Sequence, residues 1–291
     1  MTLEQLAIFV AVAEREHLTR GAEALWLTPS AVSSAIKTLE DRYGVPLFDR
    51  VGRRIELTRA GRSFLPEARL ILASAKNAEA LLGNLAGLRT GTLDIEASQT
   101  IANYWLPTRL LRFSTRYPGV SVDFRVGNTA SVAQAVMSGR AELGFVEGAV
   151  DEAALIGKIM HVDGLVIVIS AKSGVASADI TRDRLSSFNW IMRERGSGTR
   201  AEFETAVGKI GIDIAALPIM ATLPTNEAVL SAVRDSGCAT ALSELVVAPL
   251  VASGELIRSD ITLMTRQFTM LRHKERKPSA AAVEFEILIR D

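Results

Sequence analysis

Hydroxyl side chains and glycines gather in two short stretches of the sequence, and both suit anion binding. Ser98-Gln99-Thr100 follows the alternating run LDIEA (93–97) and stands directly before a helical stretch that contains TIANYW and meets Pro107. RERGSGTRAEFETAV follows NWIMR (189–193): Gly196 and Gly198 let the backbone approach a ligand, Ser197 and Thr199 supply hydroxyls, and a helix starts at once. Free amides and hydroxyls at a helix N-terminus attract an anion. Two such nests facing each other across a cleft would hold a small oxyanion or carboxylate with little need for a buried cation. Asn128, Thr129 and Thr225, each near the end of an apolar run, would complete the polar ring. A single Ser or Thr at such a place is a helix cap. The shared position at strand ends makes the set a candidate ligand site.

Other chemistry finds no support. GSGT lacks the lysine of a phosphate loop, Ser197 has no nucleophile-elbow context, and Glu202 and Glu204 face different sides of a helix. His161 and His273 fall near strand boundaries, where a structural histidine is the usual identity. One cysteine, Cys238, and three histidines give no metal-ligand spacing, so a reducing compartment, no structural metal and no cofactor are expected. Cys238 reads as an isolated buried thiol, with redox sensing as the alternative. The chain reads as a non-enzyme.

The 33 basic and 33 acidic residues cancel, yet Pro46 to Arg62 holds Arg50, Arg53, Arg54, Arg59 and Arg62 against Asp49 and Glu56. Such a cluster binds phosphate while the rest of the chain balances it, although a solvated loop has the same composition. The N-terminus lacks a secretory pattern, and the apolar run LVIVIS (165–170) stops far short of the roughly 18 residues a membrane helix needs. A cytoplasmic protein of two or three domains, without membrane contact, is the expectation.

The elements that would carry the arginines begin with an amphipathic helix over 3–18. Thr19 reads as the cap of a second helix with Ala22 and Leu25 inward, and Ser30 as the cap of a third, AVSSAIKTLEDRYG, with Val32, Ile36, Leu39 and Tyr43 on one side and Gly44 as its stop. Helix, helix, tight turn, helix, with a small alanine at the crossing, is a helix-turn-helix. Thr28, Pro29, Ser30, Ser33, Ser34 and Lys37 would lie in a major groove, and LFDRVGRRIELT forms a wing whose Arg50, Arg53 and Arg54 grip phosphates.

Residues 3 to 61 resemble the winged helix-turn-helix of LysR-type transcriptional regulators in AVS, the LE before the loop, LFDR and LTRAG. Gly21 stands where the family commonly has alanine, and Ala35 where it commonly has glutamine. Beyond this segment, Phe64, Ala68, Ile71, Ala75, Ala78, Leu82 and Leu85 recur at spacings of four and three, a narrow seam that wants a partner helix. The family resemblance likewise implies a dimerising linker.

After Thr92, strands alternate with helices: LDIEA, VSVDFRV (120–126), ELGFVEG (142–148), LVIVIS, NWIMR, PIMATL (218–223) and ITLMTRQFTML (261–271). This order is that of open α/β sheets. The segment is similar to the LysR-type effector domain, two periplasmic-binding-protein-like lobes joined by strands near 161–164 and 265–269. SQTIANYWLP, GNTASVAQAVMSGRAELGFVEG and RERGSGTR resemble regulators of sulfur assimilation and autotrophic carbon fixation. The resemblance implies Ser98, Thr100, Thr129, Ser197 and Thr199 as effector contacts, with Glu147 and Arg193 as a structural pair across the cleft.

The expected architecture is therefore multidomain: an all-α winged helix-turn-helix (1–58), a long linker helix (59–90) and a two-lobed α/β domain (91–291; lobe I 91–161 and 267–291, lobe II 162–266). The function expected is transcriptional regulation, with a solute-binding protein as the alternative. Expected partners are double-stranded promoter or operator DNA, a small anionic effector such as a sulfur oxyanion or an organic or phosphorylated acid, further copies of the chain as a homodimer or homotetramer, and RNA polymerase.

Overall fold

Thr2 starts the first helix. In the computed structural model its hydroxyl accepts from the Gln5 amide at 3.1 Å while the Gln5 side chain accepts from Thr2 N at 3.0 Å, and this reciprocal cap opens α1 (Leu3–Ala13). The structure describes residues 1–51, 54–85, 91–148, 150–263 and 265–290, with backbone alone at 50, 51, 54, 76, 77 and 79–85. The chain divides into two units, Met1–Thr90 with Ser138–Arg140, and Gly91–Met137 with Ala141–Asp291.

In the N-terminal unit α1 ends well before residue 18. Glu16 takes a left-handed φ of 45° and His17 is extended, so the chain turns and a new helix, α2 (Leu18–Ala24), begins under a cap from His17, whose Nδ1 accepts from Arg20 N. Thr19, expected as the cap, is inside that helix. The cap of α3 (Pro29–Tyr43) is Thr28, not Ser30: Thr28 Oγ1 accepts from Ala31 N at 3.3 Å. Pro29 explains the shift, since a residue with no N–H and a fixed φ suits the first helical position. Gly44, at φ 65°, ends the helix. Val32, Ile36 and Leu39 are buried, but Tyr43 turns outward.

Glu40 Oε1 accepts from the amides of Leu47 and Phe48 and ties α3 to a hairpin of β1 (Phe48–Val51) and β2 (Arg54–Leu57). Phe9 joins the layers, its ring 5.4 Å from that of Phe48 and 5.0 Å from that of Phe64 on α4 (Arg59–Leu85). Phe64 and Ala68 thus pack against their own unit's core, and Ala68, fully buried there, is not part of an exposed seam. Ile71 and Ala78 are exposed, Ala75 is half-buried, and the Leu82 and Leu85 side chains lie outside the described residues.

The C-terminal unit contains β3 (Gly91–Ser98), a π-helical turn (Ile101–Trp105), α5 (Pro107–Arg116), β4 (Val120–Gly127), α6 (Thr129–Ser138), β5 (Leu143–Glu147), β6 (Leu155–Ser170), β7 (Trp190–Arg193), α7 (Gly198–Lys209), β8 (Ile219–Leu223), α8 (Asn226–Arg234), β9 (Ala239–Ser243), α9 (Glu244–Ala252), β10 (Leu256–Arg258), β11 (Thr265–His273) and α10 (Ala280–Leu288). The strands are ordered β4-β3-β5-β11-β6-β9-β7-β8, with β10 on β6. β4, β3 and β5 are parallel, as are β9, β7 and β8. Between these groups β6 and β11 pair antiparallel, with Gly164 opposite Thr265 and His161 opposite Phe268. One core gathers around Phe113, Phe145, Phe268 and Phe285, and a second around Trp190, Phe203 and Ile167.

Three strand expectations need correction. β6 begins at Leu155 and not at 165, since its first half is held by β11. β11 begins at Thr265, while Leu263 is buried in the second core. β9, an alanine-containing strand buried throughout, was not expected.

Candidate nucleic-acid interface and ligand cleft

The N-terminal turns of α3 present Thr28, Pro29, Ser30, Ser34 and Lys37 to solvent, with Ser33 half-buried beside them. The buried stripe of Val32, Ile36 and Leu39 forces this polar set outward, because it occupies the inner face of the helix. Ser30 Oγ lies 3.1 Å from Thr28 Oγ1, which also caps the helix through Ala31 N. The hairpin carries Arg50 opposite Ile55 and Arg54 opposite Val51 in backbone register. The side chains of Arg50 and Arg54, and the whole of Arg53, lie outside the described residues. Trp26 was not singled out by the sequence reasoning: it occupies the turn between α2 and α3 at φ 56° and is 95% exposed. A tryptophan between two helix signals was the available clue.

In the C-terminal unit the Gly196–Thr199 stretch meets Thr129 and Glu147, while the Ser98–Thr100 stretch meets Asn226. A β-carbon on Gly198, at the start of α7, would strike Thr129 Oγ1 and come within 2.6 Å of Glu147 O. Thr129 Oγ1 donates to Glu147 O at 3.3 Å, and Ala130 N donates to Gly196 O at 3.2 Å. On another side Thr100 Oγ1 accepts from Asn226 Nδ2 at 3.2 Å and Gln99 Oε1 accepts from Asn226 N at 2.9 Å. Ser98, Thr100, Ser197 and Thr199 are buried, and Thr129 is half-buried. Ser197 holds the cap position of α7 without using its hydroxyl as a cap. An open cleft of about 350 Å³ lies against Thr129, Glu147 and Gly196–Gly198.

Two expected members serve other partners. Thr225 accepts from Ala228 N and caps α8, while Asn128 caps the next helix through Ser131 N and donates to Glu194. Glu147 and Arg193 do not pair. Arg193 Nε donates to Glu194 Oε2 at 2.8 Å and its Nη1 donates to the Asn226 side chain, because β7 delivers it beside its own sequence neighbour.

A buried cation, not anticipated from the sequence, stands beside one of the expected hydroxyls. Arg266 on β11 is wholly enclosed; its Nε donates to Asp163 Oδ2 at 2.7 Å and its Nη1 to Thr199 Oγ1 at 2.8 Å. Asp163 accepts in addition from Ser243 Oγ at 2.9 Å. Among the described residues, Arg266 Nη2 and Ser98 Oγ are buried without a hydrogen-bond partner. Nothing local in TRQF marks this arginine as interior.

Residues 3–62 match the bacterial regulatory helix-turn-helix protein of the lysR family, and residues 86–291 match the LysR substrate binding domain. The chain belongs to the LysR family. It is 33% identical over 290 residues to the uncharacterised HTH-type transcriptional regulator YeiE of Escherichia coli, covering 98% of this chain and 96% of the relative. It is 30% identical over 289 residues to the RuBisCO operon transcriptional regulator of Allochromatium vinosum, at 98% and 94% coverage. Full-length CbnR, solved with its target DNA, shares the fold at a TM-score of 0.69 and 21% identity, covering 100% of this chain and 99% of CbnR. This LysR-type protein is a DNA-binding transcriptional regulator with a substrate-binding effector domain, not an enzyme and not a solute-binding protein. No described helix is long and apolar enough to cross a membrane.

Proposed function

We propose that residues 1–58 of this LysR-type regulator read promoter or operator DNA, residues 59–90 pair two copies, and residues 91–291 bind a small anionic metabolite that changes promoter binding. Thr28, Pro29, Ser30, Ser33, Ser34 and Lys37 enter a major groove, while Arg50, Arg53 and Arg54 hold backbone phosphates. The exposed stretch of α4 at Ile71 and Ala78 supports pairing into a homodimer, and a homotetramer and RNA polymerase are the larger assemblies of this reading. The effector lies among Ser98, Thr100, Thr129, Ser197 and Thr199. The observation that supports this is the start of α7, where Gly198 abuts Thr129 and the enclosed Arg266 guanidinium donates to Thr199 beside Ser197. A ligand there alters DNA binding through its unequal affinity for two arrangements of the assembly.

DNA titrations over a range of salt test the first half. Replacing Arg53 and Arg54 with alanine lowers affinity for every sequence and flattens the salt slope, whereas Ser33→Ala relaxes sequence preference. An unchanged slope removes the wing from the phosphates. For the second half, Ser197→Ala combined with Thr199→Ala abolishes the response to effector and leaves basal DNA binding intact. A double variant that still responds places the ligand elsewhere.

A further inference from the structure

We infer that the groove between α6 and α7 binds a small aliphatic amine in its ammonium form, held by the carboxylates of Glu147 and Glu202. This goes beyond the anion reading: the carboxylates it assigns are unused there, and it needs no ligand at Ser98 or Thr100.

The groove, of about 350 Å³, is walled by α6 and α7 and by the turn that follows β5. Its volume is that of a small-molecule site. The charged groups on its described lining are Glu147, Asp151, Glu152 and Glu202, with no lysine, arginine or histidine among them. None of the four carboxylates makes an ion pair among the described residues. The positive end of α7 also borders the groove, but its roughly half a charge is outweighed by four full ones.

Backbone geometry brings two of these acids together. Gly148, at φ 78°, turns the chain directly after Glu147, and a β-carbon there would strike the Glu202 carboxylate. Glu202 is therefore seated over the residue next to Glu147. Glu147 is 3% exposed, and among the described residues its carboxylate accepts only from Thr129 Oγ1, at 3.4 Å. A buried carboxylate with a like charge beside it is stabilised by a cation that enters between them.

Ser197 is a second and independent sign of a ligand. It is 3% exposed, lines the groove and stands at the cap position of α7, yet its hydroxyl makes no hydrogen bond among the described residues. An ammonium group has three donors and no acceptor. The carboxylates of Glu147 and Glu202 and the Ser197 oxygen offer it three acceptors. Ala130, Ala133, Met137 and Val150 give the same groove an apolar wall for a short alkyl chain. A bare metal ion suits the place less, because among the described residues no three Asp, Glu, His or Cys side chains come together closely enough to hold one.

Titration calorimetry of the full chain, near neutral pH and at fixed ionic strength, tests this. Butylammonium and 1,4-diaminobutane are the probes, and butanol, calcium and magnesium the controls. At least one amine binds and butanol does not. Glu147→Gln and Glu202→Gln each weaken the amine at least about tenfold, as the loss of a charge-assisted hydrogen bond entails. Asp183→Asn, which removes an exposed acid outside the groove, changes its affinity by less than about twofold. Glu202 is half-buried and in no ion pair, so Glu202→Gln keeps the ligand-free melting temperature of the parent and decides the matter even where Glu147→Gln does not fold. Unchanged amine affinity in Glu202→Gln, an equal loss in Asp183→Asn, or tighter binding of calcium or magnesium than of either amine overturns the inference. Failure of both amines to bind the parent chain overturns it too, and leaves the anion reading to its own test, the effector response of the Ser197/Thr199 double variant.

Discussion

Arg266 and Asp163 face each other in register on β11 and β6, the strands that run between the two cores, with Nε 2.7 Å from Oδ2 and both side chains enclosed. An ion pair so deep stabilises little relative to apolar residues, but breaking it leaves a charge with no water and no partner. Asp163→Ala should lower stability by about 3–5 kcal/mol, measured as the shift in urea midpoint. Asp163→Asn keeps an oxygen for Arg266, and its amide can donate to the Ser243 hydroxyl, so it should cost less. Equal, small effects from both would show that the pair is not holding the crossing strands.

Gly21 sits where α2 crosses α1. A β-carbon there would stand 2.6 Å from Val12 Cγ2 and 3.1 Å from Val12 Cα, and Val12 is fully buried with a stiff, branched side chain. Alanine gains up to about 1 kcal/mol in helix propensity, against about 1–3 kcal/mol for overpacking a close-packed crossing. Overpacking should win, so Gly21→Ala lowers the melting temperature although alanine is common at this position in the family. A higher midpoint would mean that the two helices can separate cheaply.

Legibility in the sequence followed how local the signals were. Thr28, Pro29 and Gly44 bound α3 within one turn of its ends, and the Val32, Ile36 and Leu39 stripe needs only helical spacing, so the reading helix could be placed before its fold was known. The end of α1 could not, because apolar spacing continues to Leu18 while a left-handed Glu16 breaks the chain. β9 and the first half of β6 are strands through their neighbours, not their composition: Ala-Thr-Ala-Leu-Ser carries little β preference but fills the place beside β6 and β7. The hydroxyls of the cleft were visible as residues after apolar runs. Arg266 was not, since its depth arises from pairing with Asp163 more than 100 positions away.

Glu142 provides a pH dependence in the C-terminal unit. Burial holds its carboxyl above the ordinary glutamate value, and Asp94 pushes the same way, while the amide and hydroxyl of Ser279 donate to it and oppose the rise only in part. The folded chain therefore keeps this proton more firmly than the unfolded one. The contribution to stability is full below the unfolded glutamate value of about 4.3 and declines as pH rises from there through the raised folded value. In urea unfolding at a series of pH values, Glu142→Gln should gain on the parent chain as pH increases across that window. A constant difference between the two proteins at every pH would mean that Glu142 titrates alike in both states.

Trp26 offers a direct optical test of where DNA lies. It is 95% exposed, whereas Trp105 and Trp190 are at 4% and 0%, so the long-wavelength emission of the native protein comes from Trp26. It stands two positions before Thr28, the residue that caps the proposed reading helix. DNA held by the N-terminal turns of α3 must then alter the surroundings of this indole: the emission of the parent chain should shift to shorter wavelength or be quenched on adding operator DNA, and Trp26→Phe should abolish the change. As an exposed substitution it should move stability by no more than about 0.5 kcal/mol. Salt above the level that releases DNA should restore the free spectrum in the parent chain, because phosphate contacts dominate affinity. An emission change that persists in Trp26→Phe would move the contact away from the α2–α3 turn, and with it the assignment of Thr28, Ser30 and Ser33 to the groove.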